Sequence, residues 1–383
     1  MKMPAVHIEK DTQAKLEILS RDAQYDLACA CGQKGADQRK RSSEGSWIYP
    51  TTMADGRKTM LFKSLLSNIC SSDCRYCPLR KDQDPERCAI APEEMADTFL
   101  EYLRMRRVSG LFLSSGILGN PDATMERLNT TARLVRRKGF RGYLHLKMIP
   151  GASRAAIEDA LSLASTVSLN IEVPGAEHFR NVCGTKRYLE DVIQPMQWIR
   201  DLTTRGAPFE GIKQTTQFVV GAADEVDREI VRYTGAAYER LHLNRVYFSA
   251  YQEVVGSDHS DGDPQEVVTR NHSRLTREHR LYQVDYLLRT YGFSKDEIPF
   301  DDRGNLDLQT DPKEMWARCH PEFFPVNAQT ADKEQLLRVP GLGPVTVRRI
   351  LEIRKHGGRI RRLSDIGKVG ALLNKARPYL RFS

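Results

Sequence analysis

Six short apolar runs, each followed by a stretch of helical period, constrain this chain more than any single residue does. They are "KTMLFKSLL" (58–66), "GLFLSS" (110–115), "GYLHLKM" (142–148), "TVSLNIEV" (166–173), "TTQFVVG" (215–221) and "LNRVYFSAY" (243–251). Runs this short and this rich in Val, Ile, Leu and Phe read as buried strands, and the amphipathic stretches between them as helices. "PEEMADTFLEYLRMRRV" opens after Pro92 on acidic residues and ends on basic ones, as a helix complementing its own dipole should. "ATMERLNTTARLVRRKG" stops at Gly139 after a basic last turn. Strands alternating with helices predict an α/β fold with a parallel sheet, curved or closed, and its helices outside. After the sixth run come a loop, "GSDHSDGDP" (256–264), a long helix over "HSRLTREHRLYQVDYLLRTYG" (272–292) and an ordered linker, "HPEFFPVNAQT" (320–330).

Charge divides the chain where hydrophobicity does not. The last 53 residues, 331–383, carry 13 Lys/Arg against 4 Asp/Glu, whereas the remainder carries 45 against 46. The whole net charge of +8 therefore comes from one C-terminal block, as for a polyanion-binding module joined to a near-neutral body. No apolar run reaches the roughly 18 residues of a membrane span, and "MKMPAVHIEK" lacks the apolar stretch of a signal peptide. The expectation is a soluble cytoplasmic protein without membrane partners. Its eight cysteines (29, 31, 70, 74, 77, 88, 183 and 319) then read as thiols and metal ligands rather than disulfides.

Three of those cysteines, Cys70, Cys74 and Cys77, stand within eight residues in "NICSSDCRYCPLR". The spacing CxxxCxxC lets three thiolates point from one loop to one centre, and iron accepts such soft ligands. A cubane has four irons, so three cysteines leave one iron with open positions for a substrate or cofactor. A structural zinc site completed by Cys88 or His145 is the competing reading, but zinc signatures pair two knuckles and no second knuckle is present. Cys29 and Cys31 could join Cys88, Cys183 or Cys319 in an auxiliary cluster; no second triplet is close-spaced, which favours unligated thiols.

The triplet, with aromatic Tyr76 before its last cysteine and an apolar strand before the loop, resembles the signature of the radical S-adenosylmethionine (radical SAM) enzymes. The resemblance implies a partial (β/α)6 barrel of the TIM type. It also implies a 4Fe–4S cluster on Cys70, Cys74 and Cys77, with S-adenosylmethionine chelating the fourth iron and yielding a 5′-deoxyadenosyl radical. Ser114, Ser115 and Gly116 correspond to the family's glycine-rich stretch at the methionine amino group, in place of the usual Gly-Gly-Glu. Ser168, Asn170 and Glu172 alternate along the fourth run and are expected to share a face toward the ribose. Gly221 and Glu225, in "QFVVGAADE" (217–225), resemble the segment beside the adenine. His145 and Lys147 share a face of the third run, where they either meet the cofactor carboxylate or substrate or serve the structure alone.

In the basic block, "LLRVPGLGPVTVRRIL" (336–351) and "LSDIGKVGALLNKARPYL" (363–380) align at a spacing of 27 residues, each reading as helix, glycine hairpin, helix. Gly341 and Gly343 permit a tight turn whose backbone N–H groups face a phosphate, and Arg348, Arg349, Arg354 and Lys355 follow. These residues resemble the helix-hairpin-helix motif of DNA repair and recombination proteins. Lys368 stands where Gly341 stands in the first copy, so the second hairpin is expected mainly to pack against the first. The string "FPVNAQTADKEQLLRVPGLG", with "LFLSSGI", "HLKMIPG" and "KLEILSRDAQYDLAC", is similar to the DNA modification and repair radical SAM proteins. That bacterial family is linked by gene neighbourhood to a uracil-DNA-glycosylase-like partner.

The expected organisation is an N-terminal extension packing on the barrel (1–50), a radical SAM barrel (51–262), a helical and linker segment (263–330) and a small all-α helix-hairpin-helix DNA-binding domain (331–383). The expected activity is radical chemistry on nucleic acid, with DNA preferred. An extruded base would enter the barrel mouth, with Tyr143, Arg245, Tyr247 and Tyr251 as lining candidates by strand-face parity. RNA modification, on a tRNA, and a non-catalytic iron–sulfur DNA-binding or redox-sensing protein are the alternatives.

Overall fold

The six apolar runs become six parallel strands laid side by side in chain order. A computed structural model of the chain describes residues 10–26, 45, 47–52, 58–253 and 263–382. The strands are β1 (Ile48–Thr52), β2 (Lys58–Leu65), β3 (Gly110–Ser114), β4 (Tyr143–Lys147), β5 (Thr166–Ser168), β6 (Lys213–Val220) and β7 (Arg245–Ala250). They pair as β1-β2-β3-β4-β5-β6-β7, with β1 antiparallel to β2 and every later pair parallel. β1 straddles position 50–51, where the sequence suggests the barrel begins. The helices α1 (Thr12–Asp22), α2 (Pro92–Arg104), α3 (Pro121–Arg137), α4 (Arg154–Leu163), α5 (Ala176–Val182), α6 (Gln194–Thr203), α7 (Asp227–Leu241) and α8 (Pro264–Thr290) include one or two between each successive pair of parallel strands. The result is an α/β half-barrel. Its interior strands are buried on both faces, as a parallel sheet under helices must be; Phe62, Leu111, Leu113, Leu144, Leu146, Val167, Phe218 and Phe248 are all fully enclosed.

The barrel stays open at β7, where the edge is already satisfied. On the β7 side, the outward backbone N–H groups donate to side chains: Val246 N to Tyr238 Oη at 3.0 Å, Phe248 N to Tyr282 Oη at 3.0 Å and Ala250 N to Glu278 Oε2 at 2.7 Å. Tyr282 Oη also donates to the Phe248 carbonyl at 2.9 Å. An edge strand whose donors are so occupied has nothing left for another strand. The same contacts set α8 antiparallel to β7, so its first turns lie near the C-terminal ends of the strands and its last near their N-terminal ends. At 1.5 Å per residue α8 is about 40 Å long. It begins at Pro264, eight residues before the helical pattern is evident in sequence, with Asp263 accepting from Gln265 N as N-cap.

One strand is shorter than its sequence suggests. The run 166–173 leaves the ladder after Ser168, where the Thr216 hydroxyl donates to the Leu169 carbonyl at 2.7 Å, and further on Glu172 has a left-handed φ of 66°. The chain then follows β6 irregularly: Ile171 N donates to Thr216 Oγ1 at 2.9 Å, Glu172 N to the Gln217 carbonyl at 3.0 Å.

Beyond α8 the chain forms α9 (Pro312–Cys319), the two-residue strand β8 (Val326–Asn327), α10 (Lys333–Arg338), α11 (Pro344–Lys355), α12 (Ala371–Asn374) and the terminal strand β9 (Leu380–Arg381). β8 and β9 pair in parallel and close this unit on itself. Its core includes Val326 and Ala328, ahead of the 331 boundary that charge suggests, together with Leu336, Val347, Ile350, Ile360 and Ile366. The first sequence copy is a true helix pair, α10 and α11. The second is reduced to a 3-10 turn (Leu363–Asp365) and the four-residue α12. The copies pack together through Gly341, at φ 82°, where a Cβ would lie 2.4 Å from the Leu372 carbonyl and 3.0 Å from Ala376 N. Gly341→Ala should therefore combine a left-handed backbone penalty of about 1–2 kcal/mol with direct overlap. The expected outcome is early unfolding of residues 326–381 alone in hydrogen exchange, with exchange in the barrel unchanged.

Candidate functional site

The cysteine loop lies between β2 and α2 and is built around Arg87. The Arg87 guanidinium donates to the carbonyls of Leu79 (2.8 Å), Arg80 (2.8 Å), Gln83 (2.9 Å) and Asn68. Asn68 closes the base of the loop: its amide donates to Asp22 Oδ2 and the Glu86 carbonyl, both at 2.7 Å, and accepts from Cys88 N at 2.7 Å. A polar loop otherwise lacking regular structure thus has its backbone groups paired internally, as burial demands. Gly116, at the end of β3, lets the loop approach: its N–H donates to the Ser67 carbonyl at 2.7 Å, and a Cβ there would lie 2.5 Å from the Ile69 carbonyl.

Cys70, Cys74 and Cys77 open on one cavity of about 530 Å³ at the C-terminal ends of the strands. Its wall includes Tyr76, Ser115, Gly116, Lys147, Asn170, Glu172, Lys186, Tyr251 and Gln252. The volume is that of a small-molecule or cofactor site. Two groups on the wall, Glu172 Oε2 and Gln252 Nε2, are shielded from solvent and have no partner, which is costly without a ligand. Among the described residues, no three His, Cys, Asp or Glu side chains are spaced to hold a single metal ion.

Cys74 is the buried thiol of the three. Its Sγ shares a hydrogen bond with Cys183 Sγ at 3.7 Å and accepts from Lys186 Nζ at 3.1 Å and from Ser72. The Cys183 contact first, then the Lys186 charge, hold the Cys74 thiol well below the ordinary range, and the same contact pushes Cys183 up. Burial pulls Lys186 down, but the charge of Cys74 outweighs it and keeps the ammonium protonated. Burial pushes Glu172 up to about 7, against the pull of Lys147 and Lys186. Asp73 is held down at about 2: burial opposes this, but Thr185, Cys183 and Gly184 all donate to its carboxylate. Asp73 so fixes the turn carrying Cys183 and Lys186 onto the cysteine loop. The sequence marks Cys183 only as a candidate auxiliary-cluster ligand and Lys186 not at all, since "VCGTK" lies 109 residues from Cys74 with no motif around it.

Other expected site residues separate into two groups. Ser115, Gly116, Asn170, Glu172, Lys147 and Tyr251 reach the cavity; Ser114, Ser168, Gly221 and Glu225 are not on its wall. Ser168 lies one register below, hydrogen bonded to His145 Nε2 at 2.9 Å, and His145 packs on Phe112 with ring centroids 4.2 Å apart. Glu225 turns back on its own loop, accepting from Gly221 N at 2.6 Å and Ala223 N at 3.1 Å. Tyr143 and Arg245 do not line the barrel mouth. They begin β4 and β7, at the opposite end of the strands: parity along a strand fixes the face of a side chain but not its height. Tyr247 is likewise absent from the cavity wall; the Arg245 guanidinium lies 5.1 Å from its ring centroid. Cys88 is held apart from the triplet, its Sγ donating to the Lys15 carbonyl at 3.9 Å, and Cys319 is exposed. Cys29 and Cys31 lie outside the described residues, as does most of the 256–264 loop.

The hairpin unit docks beside the last turn of α8, at the N-terminal ends of the strands. Lys313 Nζ donates to the Leu342 carbonyl at 2.7 Å, Arg338 pairs with Glu297, and Lys375 pairs with Glu314 at 3.1 Å. α11 starts at Gly343 with no side-chain cap and Pro344 in its first turn, leaving its next N–H groups for an external acceptor. Arg348 and Lys368 are exposed. Arg349 is partly engaged, donating to the Ile366 carbonyl at 3.1 Å, and Arg354 donates to the Ala331 carbonyl, so these two also hold the unit together.

Residues 323–380 match the family model of the helix-hairpin-helix motif. No curated protein matches the chain. Among solved structures, HydG, a maturase of the FeFe-hydrogenase, aligns with a TM-score of 0.43 and 12% identity over 59% of this chain and 49% of its own. HydG from Carboxydothermus hydrogenoformans aligns with a TM-score of 0.42 and 15% identity, over 83% and 76%. Methylornithine synthase, PylB, gives 0.41 and 14%, over 57% and 63%. The chain spans about half the length of the first of these.

The raised pKa of Glu172 has a pH signature. A carboxyl shifted from 4.5 to about 7 adds stability that is fully present below its unfolded value and is lost as pH rises through 7. In metal-free protein the urea midpoint should fall between about pH 5 and pH 8, and Glu172→Gln should flatten that fall; an unchanged slope would mean that Glu172 is ionised throughout.

Proposed function

We propose that this chain is a radical SAM enzyme acting on nucleic acid, with DNA as the preferred polymer and DNA modification or repair as its role. The observation that carries the reading is the opening of Cys70, Cys74 and Cys77, all from one loop, onto a single cavity whose wall holds two buried polar groups without partners. Three soft donors on the cavity wall, with Cys183 behind Cys74 and off that wall, fit a 4Fe–4S cluster with one iron left for S-adenosylmethionine. When bound, that pair supplies a 5′-deoxyadenosyl radical able to take a hydrogen atom from a substrate.

The chain's own residues have defined tasks around it. Lys186 sets a buried positive charge against Cys74, which favours the thiolate needed for ligation. Gly116 keeps the space beside Cys70 clear, since a Cβ would stand 3.1 Å from the Cys70 Cβ. Gln252 Nε2 offers a donor to a carboxylate, and Glu172 Oε2 an acceptor to an ammonium or hydroxyl. Asn170 and Lys147 add polar contacts on the same wall, and the surrounding strand ends exclude water. The basic block, uncapped α11 and exposed Arg348 and Lys368 support phosphate contact without sequence reading.

The test is anaerobic reconstitution of iron and sulfide, followed by assay of 5′-deoxyadenosine from S-adenosylmethionine and a low-potential reductant, with DNA, with tRNA and with neither. Cleavage stimulated by DNA and abolished in Cys74→Ser is expected. Stimulation by tRNA alone would move the substrate to RNA, and no cleavage by protein with an intact cluster would leave a non-catalytic iron–sulfur protein. In the same preparation, Arg348→Glu with Lys368→Glu should weaken DNA binding at least about tenfold and lower the salt slope by about 0.9 for each phosphate no longer neutralised, with cluster content unchanged.

A further inference from the structure

A second cavity, of about 460 Å³, lies at the other end of the barrel, directly beside the hairpin unit. Its lining comes from three elements: Arg245 at the start of β7; His279, Asp285, Tyr286, Arg289 and Tyr291 along and just past α8; and Asp311 and Lys313 at the start of α9. Tyr291 ties it to the hairpin, its Oη lying 3.5 Å from where a Cβ on Gly343 would stand, and Lys313 holds the Leu342 carbonyl. The uncapped N-terminus of α11 is therefore adjacent to the cavity.

The hydrogen-bonding capacity of the lining is one-sided. Its acceptors are committed: Asp285 receives Arg289 in a bidentate pair and the Tyr238 hydroxyl, Asp311 caps α9, and Gln283 Oε1 accepts from Arg280 at 2.8 Å. Its donors are not. The Arg245 side chain makes no hydrogen bond to any described residue, its Nε being buried without a partner, and neither the His279 ring nor the Tyr291 hydroxyl has a hydrogen-bond partner among the described residues. Tyr286 adds a half-exposed aromatic face, set edge-on to Tyr291 with ring centroids 5.5 Å apart. A flat ligand with a π-face and an edge rich in acceptors would satisfy this wall; one presenting donors would not.

We infer that this cavity is a base-reading pocket, which receives a single nucleobase extruded from the strand held by the hairpin and prefers bases with carbonyl edges, such as guanine or thymine, over adenine. Arg245 is positioned for paired acceptors such as O6 and N7 of guanine, while Tyr286 stacks on the ring. This rests on the nucleic-acid reading of the hairpin unit and adds a site distinct from the cysteine cavity. It requires no bond to be made or broken; the pocket recognises a base.

The experiment uses the full chain and duplexes carrying one bulged base, guanine or adenine, so that extrusion costs no base pair. By fluorescence anisotropy, wild type should bind the guanine bulge about tenfold more tightly than the adenine bulge. Arg245→Met should reduce that preference to within twofold and leave the salt slope intact; Tyr286→Ala, at a half-exposed position that tolerates truncation, should weaken both bulges equally, relative to perfect duplex. Salt-dependent binding without a guanine preference in wild type, or a preference that survives in Arg245→Met, would overturn the pocket alone. Absence of salt-dependent binding to any duplex would overturn the nucleic-acid reading and the pocket with it.

Discussion

The cysteine loop depends on one half-buried cation. Arg87 donates to four backbone carbonyls drawn from both arms of the loop, and Asn68 joins its two ends. Without those contacts, residues 66–91 would have to satisfy their carbonyls in water, and the three thiols would sample many arrangements at the entropic cost ordinary loops bear. Arg is suited to this because its planar fork presents five donors at fixed angles, which a lysine cannot imitate. Around this frame, the Asp73 clamp brings Lys186 to Cys74. Loop architecture and thiol electrostatics are therefore linked: the turn that supplies the charge is held by a carboxylate of the loop that receives it.

The fold was more legible in the sequence than the site. Strand positions follow directly from short β-branched runs between amphipathic helices, because a parallel sheet covered on both faces allows little else. Side-chain placement along those strands is another matter. Ser168, Asn170 and Glu172 alternate in sequence as if on one strand, yet the Thr216 hydroxyl replaces the ladder after Ser168, and Asn170 and Glu172 reach the cavity without Ser168. Tyr143 and Arg245 have the expected parity and the wrong height. The pairing of Cys183 and Lys186 with Cys74 was not legible, since it comes only from a contact bridging more than a hundred residues.

In the tail, composition located a basic module and spacing its internal repeat, but neither could say how unequal the copies are. α11 retains a full helix with an uncapped start, whereas α12 is a single turn whose backbone fills the space left by Gly341. The expected packing role of the second copy agrees with this geometry. The unit also begins earlier than its charge does, because β8 contributes two residues to the closing ladder and no basic side chain.

The direction of α8 joins these parts. Because the helix runs antiparallel to β7, the cysteine cavity and the hairpin unit occupy opposite ends of the barrel, separated by most of a helix about 40 Å long. A duplex gripped at the hairpin cannot present the nucleotide beside the grip to the cysteine cavity as well. The eight-residue β6 spans about 26 Å at about 3.3 Å per residue, which at 3.4 Å per base pair takes about eight base pairs along the outer surface. Recognition at the hairpin and chemistry at the cavity would then fall on different nucleotides, with the spacing between them set by the height of the barrel. On the proposed function, a reader at the foot of the barrel is what such a separation calls for: the grip needs its own means of choosing a register, since the reacting centre lies too far away to supply one.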